Sequence, residues 1–237
     1  MSNNLESFNS VSQAIDAIAN GEFVVVVDDT DRENEGDLII AAEKITTSQM
    51  AFLVRHSSGL VCVALGEERL QQLQLPLMVE NNTESHRTAF TVSVDYKFGT
   101  TTGISAADRA ITLRALADSS AQASDFLRPG HIFPLRARLG GVLERPGHTE
   151  AAYDLAALAG LNPVGVLCEI VNEDGSMARR PDLFLFAKKH GLKIITIADL
   201  IAYREQTLRH VFTHTQYKEN APKKNNNLLD AAVLYGL

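Results

Sequence analysis

The chain has 237 residues, 45% of them hydrophobic, and a formal net charge of −7. That length and apolar content can bury one sizeable core, and no Pro/Ser-rich linker interrupts it before residue 205, so one domain is expected. Negative charge without a basic stripe argues against nonspecific nucleic-acid binding, no apolar run approaches a membrane span, and the polar residues 1–10 lack a signal-peptide pattern, which together predict a cytoplasmic protein.

In chain order, Ser12 to Asn20 carries apolar residues at helical spacing (Ala14, Ile15, Ala17, Ile18) and ends at Gly21, which suits a left-handed cap, so a short helix opens the fold. Phe23 to Val27 reads as a buried strand, followed by an acidic loop and a short strand at Leu38-Ile39-Ile40. Thr46 and Thr47 can cap a helix through Arg55, stopped at Ser57-Ser58-Gly59. Leu60 to Leu65 and Ala89 to Val94 read as further strands. Ser105-Ala106-Ala107-Asp108 has the pattern of a capping box opening a helix to Ala117. Gly165 to Val171 is another buried strand, Asp174-Gly175 a tight turn, Pro181 to His190 a helix with Gly191 behind it, and Lys193 to Ile197 a last strand. Strands and helices mixed in this way predict an α/β (α+β) single domain, a mixed sheet with surrounding helices, over residues 1–205. Residues 206–237, polar around Lys223-Lys224-Asn225, are expected to form a mobile tail.

Folding alone explains least the segment Asp28-Asp29-Thr30-Asp31-Arg32-Glu33-Asn34-Glu35-Gly36-Asp37, six carboxylates in ten residues directly after a buried strand. Like charges so close repel unless water, Arg32 or a cation compensates them, and crowded carboxylate oxygens suit a hard divalent ion such as Mg2+. The bland reading is a solvated acidic turn. Arg-Pro-Gly-His occurs twice, at 128–131 and 145–148, with Gly140-Gly141 between the copies. If Ile132 to Arg138 pairs with Val142 to Glu144 as a hairpin about those glycines, His131 comes near His148 and two guanidinium groups join them. Thr149 is the expected N-cap of a helix over Ala151 to Leu158, whose free amides beside Arg145 would hold an anion.

Glu169 lies in an apolar strand, where a carboxylate is costly unless paired, and stands out as a functional candidate. Cys62 and Cys168 sit in apolar runs and read as buried thiols rather than a disulfide or zinc site. A hard metal beside a phosphate cradle suits a small phosphorylated sugar whose oxygens chelate the ion and whose enediolate the ion stabilises. Neither a Walker motif nor G-x-G-x-x-G follows a strand, so an ATPase or dehydrogenase lacks support. A metal-dependent phosphosugar isomerase or aldolase would use the same parts. A noncatalytic nucleotide- or RNA-binding module would need a basic, aromatic-bearing face, of which a negative chain without Trp offers little sign.

Five segments, in order, resemble the successive motifs of the 3,4-dihydroxy-2-butanone 4-phosphate synthase family of riboflavin biosynthesis. They are Asp31-Arg32-Glu33-Asn34-Glu35-Gly36-Asp37, Val79-Glu80-Asn81-Asn82-Thr83, Thr101-Thr102-Gly103-Ile104-Ser105-Ala106-Ala107-Asp108-Arg109, Arg128-Pro129-Gly130-His131-Ile132-Phe133-Pro134-Leu135 and Gly147-His148-Thr149-Glu150-Ala151. The resemblance runs from Ser12 to Arg204 and leaves the tail unmatched. It implies that family's fold and the conversion of D-ribulose 5-phosphate into formate and L-3,4-dihydroxy-2-butanone 4-phosphate, through enolisation, dehydration, a carbon-skeleton shift and expulsion of C4. It further implies Mg2+ or Mn2+ as cofactor and a homodimer whose active sites are shared across the interface. Carried over by motif, Glu33 and His148 would ligate the metal, and Arg32 and Asp37 would hold the sugar. Arg145, Pro146, Gly147, His148 and Thr149 would close around the substrate, and His131 and Glu169 would be the acid/base pair. Asp31 and Glu35 would assist proton transfer or merely brace the loop. Asp28 and Asp29 read as structural, Ser105 as a helix cap, and Asp108 and Arg109 as a pair on or near that helix.

Overall fold

The computed structural model describes residues 7–219. Helix α1 (Val11–Ala19) starts at a reciprocal capping box between Ser10 and Gln13, and Gly21, at φ +74°, turns the chain into strand β1 (Val24–Val27). The acidic loop then connects β1 to β2 (Gly36–Ala41), its antiparallel neighbour. Helix α2 (Thr47–His56), capped by Thr46 and Gln49, leads to β3 (Cys62–Leu65) and a short helix α3 (Glu67–Gln72). Next come β4 (Val94–Tyr96), α4 (Ala106–Ala117), β5 (Phe126–Arg136), α5 (His148–Leu158), β6 (Val164–Glu169), α6 (Arg180–His190), β7 (Lys193–Thr196) and α7 (Ile197–Glu219).

Among the described residues the strands form one seven-stranded sheet in the order β4-β5-β3-β6-β2-β1-β7. It is mixed: β1 runs parallel to β7 and β3 to β5, and the other pairs are antiparallel. Alternate residues of the valine run serve opposite faces. Val25 and Val27 pack with Met50 and Leu53 of α2, Leu113 of α4 and Leu183 of α6, whereas Val24 and Val26 pack with Ile18 of α1, Leu155 of α5 and Leu200 of α7. A strand buried on both faces needs apolar residues at every position, which is why Val24–Val27 shows no alternation. Helix α5 lies close on β6 at Gly165, where an added Cβ would fall inside contact of the Ala152 carbonyl.

Several expectations change. The hairpin about Gly140-Gly141 does not form: Cys62–Leu65 takes Phe133–Arg136 as a parallel partner, which buries Leu135. Gly141, at φ +58°, instead turns the chain through a 3-10 segment, Gly141–Leu143, pinned by Asp154, whose Oδ2 accepts the Val142 amide and an Arg204 guanidinium N–H. The two Arg-Pro-Gly-His copies therefore serve separate places. The strand expected over Ala89–Val94 is reduced to bridges at Phe90 and Thr91, and the ladder forms later, at β4. Helix α5 begins earlier than expected, its N-cap Gly147 standing two residues before Thr149. Helix α7 continues past residue 205, and the tail expected to be mobile lies, from residue 220, outside the described residues. Among the described residues no helix is long and apolar enough to cross a membrane.

Candidate active site

The carboxyl end of β1, the start of β2 and the end of β6 meet at one edge of the sheet. In register, Val26 pairs with Asp37 and Asp37 with Glu169, so backbone pairing alone aligns the acidic loop with the odd carboxylate of the apolar strand. The loop between is folded by its own first residue. Asp28, 2% exposed, accepts the Glu35 amide on Oδ1 at 2.8 Å, and on Oδ2 the Glu33 amide and Arg32 Nη1, both at 3.0 Å. Asp29 accepts the Asp31 amide, and Arg179, the N-cap of α6, donates to the carbonyls of Glu33 and Asn34. Five like charges can thus share a short turn because amides and two guanidiniums, not solvent alone, compensate them.

Helix α5 delivers His148 into this loop. Its Nε2 lies 3.1 Å from the Val26 carbonyl, which can only accept, so Nε2 carries a hydrogen and Nδ1 faces the carboxylates. Nδ1 is 3.5 Å from Glu33 Oε2 and 3.7 Å from Asp37 Oδ1. Asp37 Oδ1 is buried with no hydrogen-bond partner among the described residues, a costly state for a carboxylate oxygen. Those separations are too long for close hydrogen bonds and only slightly wider than the roughly 3 Å between adjacent donors around a small octahedral cation. One imidazole nitrogen and carboxylate oxygens are also a donor set that a divalent ion such as Mg2+ or Mn2+ accepts. Asp28 also comes within reach, its donor, Glu33's and His148's all lying within 4.8 Å of one another. Its two oxygens are already committed to three loop donors, whereas Asp37 Oδ1 has none among the described residues.

Protonation follows the same contacts. Burial raises the Glu33 carboxyl, but the neighbouring His148 and Arg32 outweigh it and bring it down to about 2. Burial pushes Asp37 up to about 8 despite His148. Burial alone would lower His148, yet the charges of Asp37, Glu33 and Asp28 push it up to about 9. Glu35 is raised, by burial and by Glu33 and Glu169, against the pull of Arg179. In the metal-free protein the cluster therefore holds protons at neutral pH where a cation would supply positive charge.

Two arginines flank the start of α5. A Cβ on Gly147 would fall inside contact of Arg145 Nη1 and 3.1 Å from Arg32 Nη2, so glycine is what lets both guanidiniums approach the free amides of the helix end. Arg145 is held by Glu150, 1% exposed, whose Oε2 accepts its Nη1 at 2.7 Å, and by the His86 carbonyl and Thr88 hydroxyl. Thr149 and Pro146 complete this end of the helix.

Glu169 is paired, as an apolar strand requires: its Oε2 accepts the Ser58 hydroxyl at 2.7 Å. His131 does not meet His148. It stands two residues outward from Phe133 on β5, as Glu169 stands two residues outward from Leu167 on β6, and Phe133 and Leu167 share Cys62 as register partner. The two acid/base candidates thus sit toward the same edge of the sheet, with β3 between them and roughly 10 Å between their backbones at two strand spacings. Asp108 and Arg109 do not pair. Asp108 accepts from Thr101 and Gly103, and Arg109 reaches toward the Gly59 carbonyl. Ser105 caps α4 as expected, accepting the Asp108 amide. Glu150, Arg179, Ser58 and Asp95 were not singled out from the sequence. Of these, only Glu150 lies inside one of the matched motifs, which could have pointed to it.

The family model for 3,4-dihydroxy-2-butanone 4-phosphate synthase matches residues 12–203. A synthase of that name from Agrobacterium fabrum is 61% identical over 193 residues, covering 81% of this chain and 91% of that one. A probable bifunctional riboflavin biosynthesis protein, chloroplastic, from Oryza sativa subsp. japonica is 60% identical over 209 residues, 87% of this chain, which spans 39% of that longer protein. A solved structure of 3,4-dihydroxy-2-butanone 4-phosphate synthase in complex with two magnesium ions superposes with a TM-score of 0.82 at 53% identity, covering 84% of this chain and 98% of that one. A metal-ready edge of the same sheet, on a chain matched over nearly its whole described length, places this protein in the 3,4-dihydroxy-2-butanone 4-phosphate synthase family, as an enzyme of riboflavin biosynthesis.

Proposed function

We propose that this enzyme converts D-ribulose 5-phosphate into L-3,4-dihydroxy-2-butanone 4-phosphate and formate with Mg2+ or Mn2+ bound by Glu33 and His148. The observation that carries the reading is the buried, unpartnered Asp37 oxygen facing His148 Nδ1 beside Glu33, at a helix start flanked by two arginines. The two magnesium ions of the related solved structure agree with it. A bound divalent ion would supply charge to the oxygens of the enediolate, lowering the barrier to enolisation.

The protein's own groups have separate tasks. The α5 amides and Arg145, braced by Glu150, hold the phosphate, and Arg32 and Asp37 orient the sugar hydroxyls. Gly147, Pro146 and Thr149 form the wall behind it. His131 and Glu169 move protons on and off carbon and oxygen during enolisation and loss of a hydroxyl as water; Ser58 sets the orientation of the Glu169 carboxylate. A water taken up when C4 leaves as formate balances the one lost earlier. Asp31 and Glu35 stand beside this path. The active enzyme is a homodimer with shared sites.

Incubating the protein with ribulose 5-phosphate and Mg2+, with and without EDTA, and following formate by proton NMR tests the reading. Metal-dependent formate is expected. An isomerised pentose phosphate without formate would refute it in favour of an isomerase.

A further inference from the structure

We infer that Asp95 is the positioning residue that fixes which nitrogen of His131 exchanges protons; this rests on the reading of His131 as an acid/base group. Asp95 grips His131 twice. Its Oδ1 accepts the His131 backbone N–H at 2.9 Å, and its Oδ2 lies 2.7 Å from ring Nδ1. An ionised carboxylate can only accept, so Nδ1 carries the hydrogen and Nε2 keeps a lone pair. The two ends of the pair differ in exposure, with side chains 42% exposed for His131 and 9% for Asp95. The carboxylate is thus sealed while the far side of the imidazole looks outward, and among the described contacts Nε2 has no protein partner. A histidine kept only for packing would bury its ring and satisfy both nitrogens.

The surrounding chain is built to hold this pair. The ladder between β4 and β5 slips between Val94, which faces Ile132, and Asp95, which faces Leu127, so residues 128–131 of β5 bulge out of the pairing and the Asp95 carboxylate reaches His131. Gly130 lies against the Val94 backbone, where a Cβ has no room, and its N–H donates to Ser93 Oγ at 3.1 Å. Gly103, at φ +91°, covers the other side: a Cβ there would overlap the Asp95 carboxylate and lie 2.7 Å from His131 Nδ1. The Gly103 turn is itself tied to α4 by Asp108, which accepts the Thr101 amide, the Thr101 hydroxyl and the Gly103 amide at 3.2, 2.8 and 3.0 Å. The Thr101–Arg109 motif, which the proposed chemistry leaves without a task, is the clamp over the Asp95–His131 pair.

Asp95→Asn tests this with little change of shape. The amide oxygen keeps the His131 backbone N–H, which turns the NH2 toward Nδ1 and forces the ring hydrogen onto Nε2. In 15N-labelled protein with the ring neutral, NMR of the wild type should show hydrogen on Nδ1 and of Asp95→Asn on Nε2. Formate production should lose about 10²–10⁴-fold in kcat with KM changed less than about threefold. A wild-type ring protonated on Nε2 would overturn the inference, as would an Asp95→Asn enzyme that keeps its kcat or loses it with the ring hydrogen still on Nδ1. Should the variant fail to fold, the wild-type tautomer decides alone. His131→Gln, assayed alongside, separates the two readings: an active His131→Gln refutes the acid/base role of His131, whereas an inactive one with active Asp95→Asn refutes only the role of Asp95.

Discussion

Metal affinity is expected to rise steeply with pH, because the ion must take the place that a proton holds between His148, Glu33 and Asp37. His148 can ligate only through Nδ1, its Nε2 being spent on the Val26 carbonyl. With His148 pushed up to about 9, pH 7 lies about two units below, so freeing Nδ1 costs on the order of a hundredfold in apparent affinity. Glu33, brought down to about 2, has no proton to lose in this range, whereas Asp37, raised to about 8, adds a second. Affinity for Mn2+ or Mg2+ should therefore climb at least about tenfold per pH unit from pH 6.5 to 8 and level off above about 9. Isothermal titration at pH 7.0 in two buffers of different ionisation heat should report one to two protons released per cation. A flat affinity with no buffer dependence would refute this account, since it would mean the ion binds without displacing the His148 proton.

The stability of the metal-free protein should carry the same sign. His148 has a folded-state pKa raised from 6.5 to about 9, so its contribution is complete below pH 6.5 and lost as pH rises through 9, a change of about 3 kcal/mol, and Asp37, raised from 3.8, works in the same direction. Tm should fall from pH 6.5 to 9 without metal and recover with it; a rising Tm would be the contrary result. Gly165→Ala should cost about 1–3 kcal/mol by forcing α5 off β6, lowering Tm by about 2–10 °C, and an unchanged Tm would show that the close contact yields freely. Mixing inactive Glu33→Ala and Glu169→Ala chains should restore no activity in verified mixed dimers. Asp37 is in register with Glu169 and touches His148, which touches Glu33, so one chain supplies all four; recovery would place Glu33 and Glu169 in different sites.

What was legible in the sequence is what depends on near neighbours. Caps at Thr46 and Ser105, the valine strand and the Pro181 helix start are all written within a few residues, and each stands within a residue or two of where the pattern puts it. The hairpin failed because symmetry of motif says nothing about a better partner elsewhere: β3, some 70 residues earlier, offers Phe133–Arg136 a parallel ladder with both faces covered. Asp95 was illegible for the same reason. A single carboxylate in Ser93-Val94-Asp95-Tyr96 carries no local signal, and its meaning arises only when a slipped register sets it against His131, 36 residues on.

The acidic loop shows how far composition alone can be resolved into roles once donors are counted. Asp28 spends both oxygens and Asp29 one on donors of their own turn, which makes the turn. Glu33 shares Arg32 and His148 and stays ionised, while Asp37, planted in the sheet rather than the loop, has an oxygen that no group among the described residues satisfies. A protein selected only for stability would lose that oxygen at little cost, since an apolar residue of similar size in a fully buried strand removes the penalty. The divalent ion proposed above would give it a partner opposite His148 Nδ1. The same reasoning ranks the loop's carboxylates by what truncation should do: Asp28→Ala should unfold the turn and weaken every ligand together, whereas Asp37→Ala should leave the turn intact and remove only the contact it was kept for.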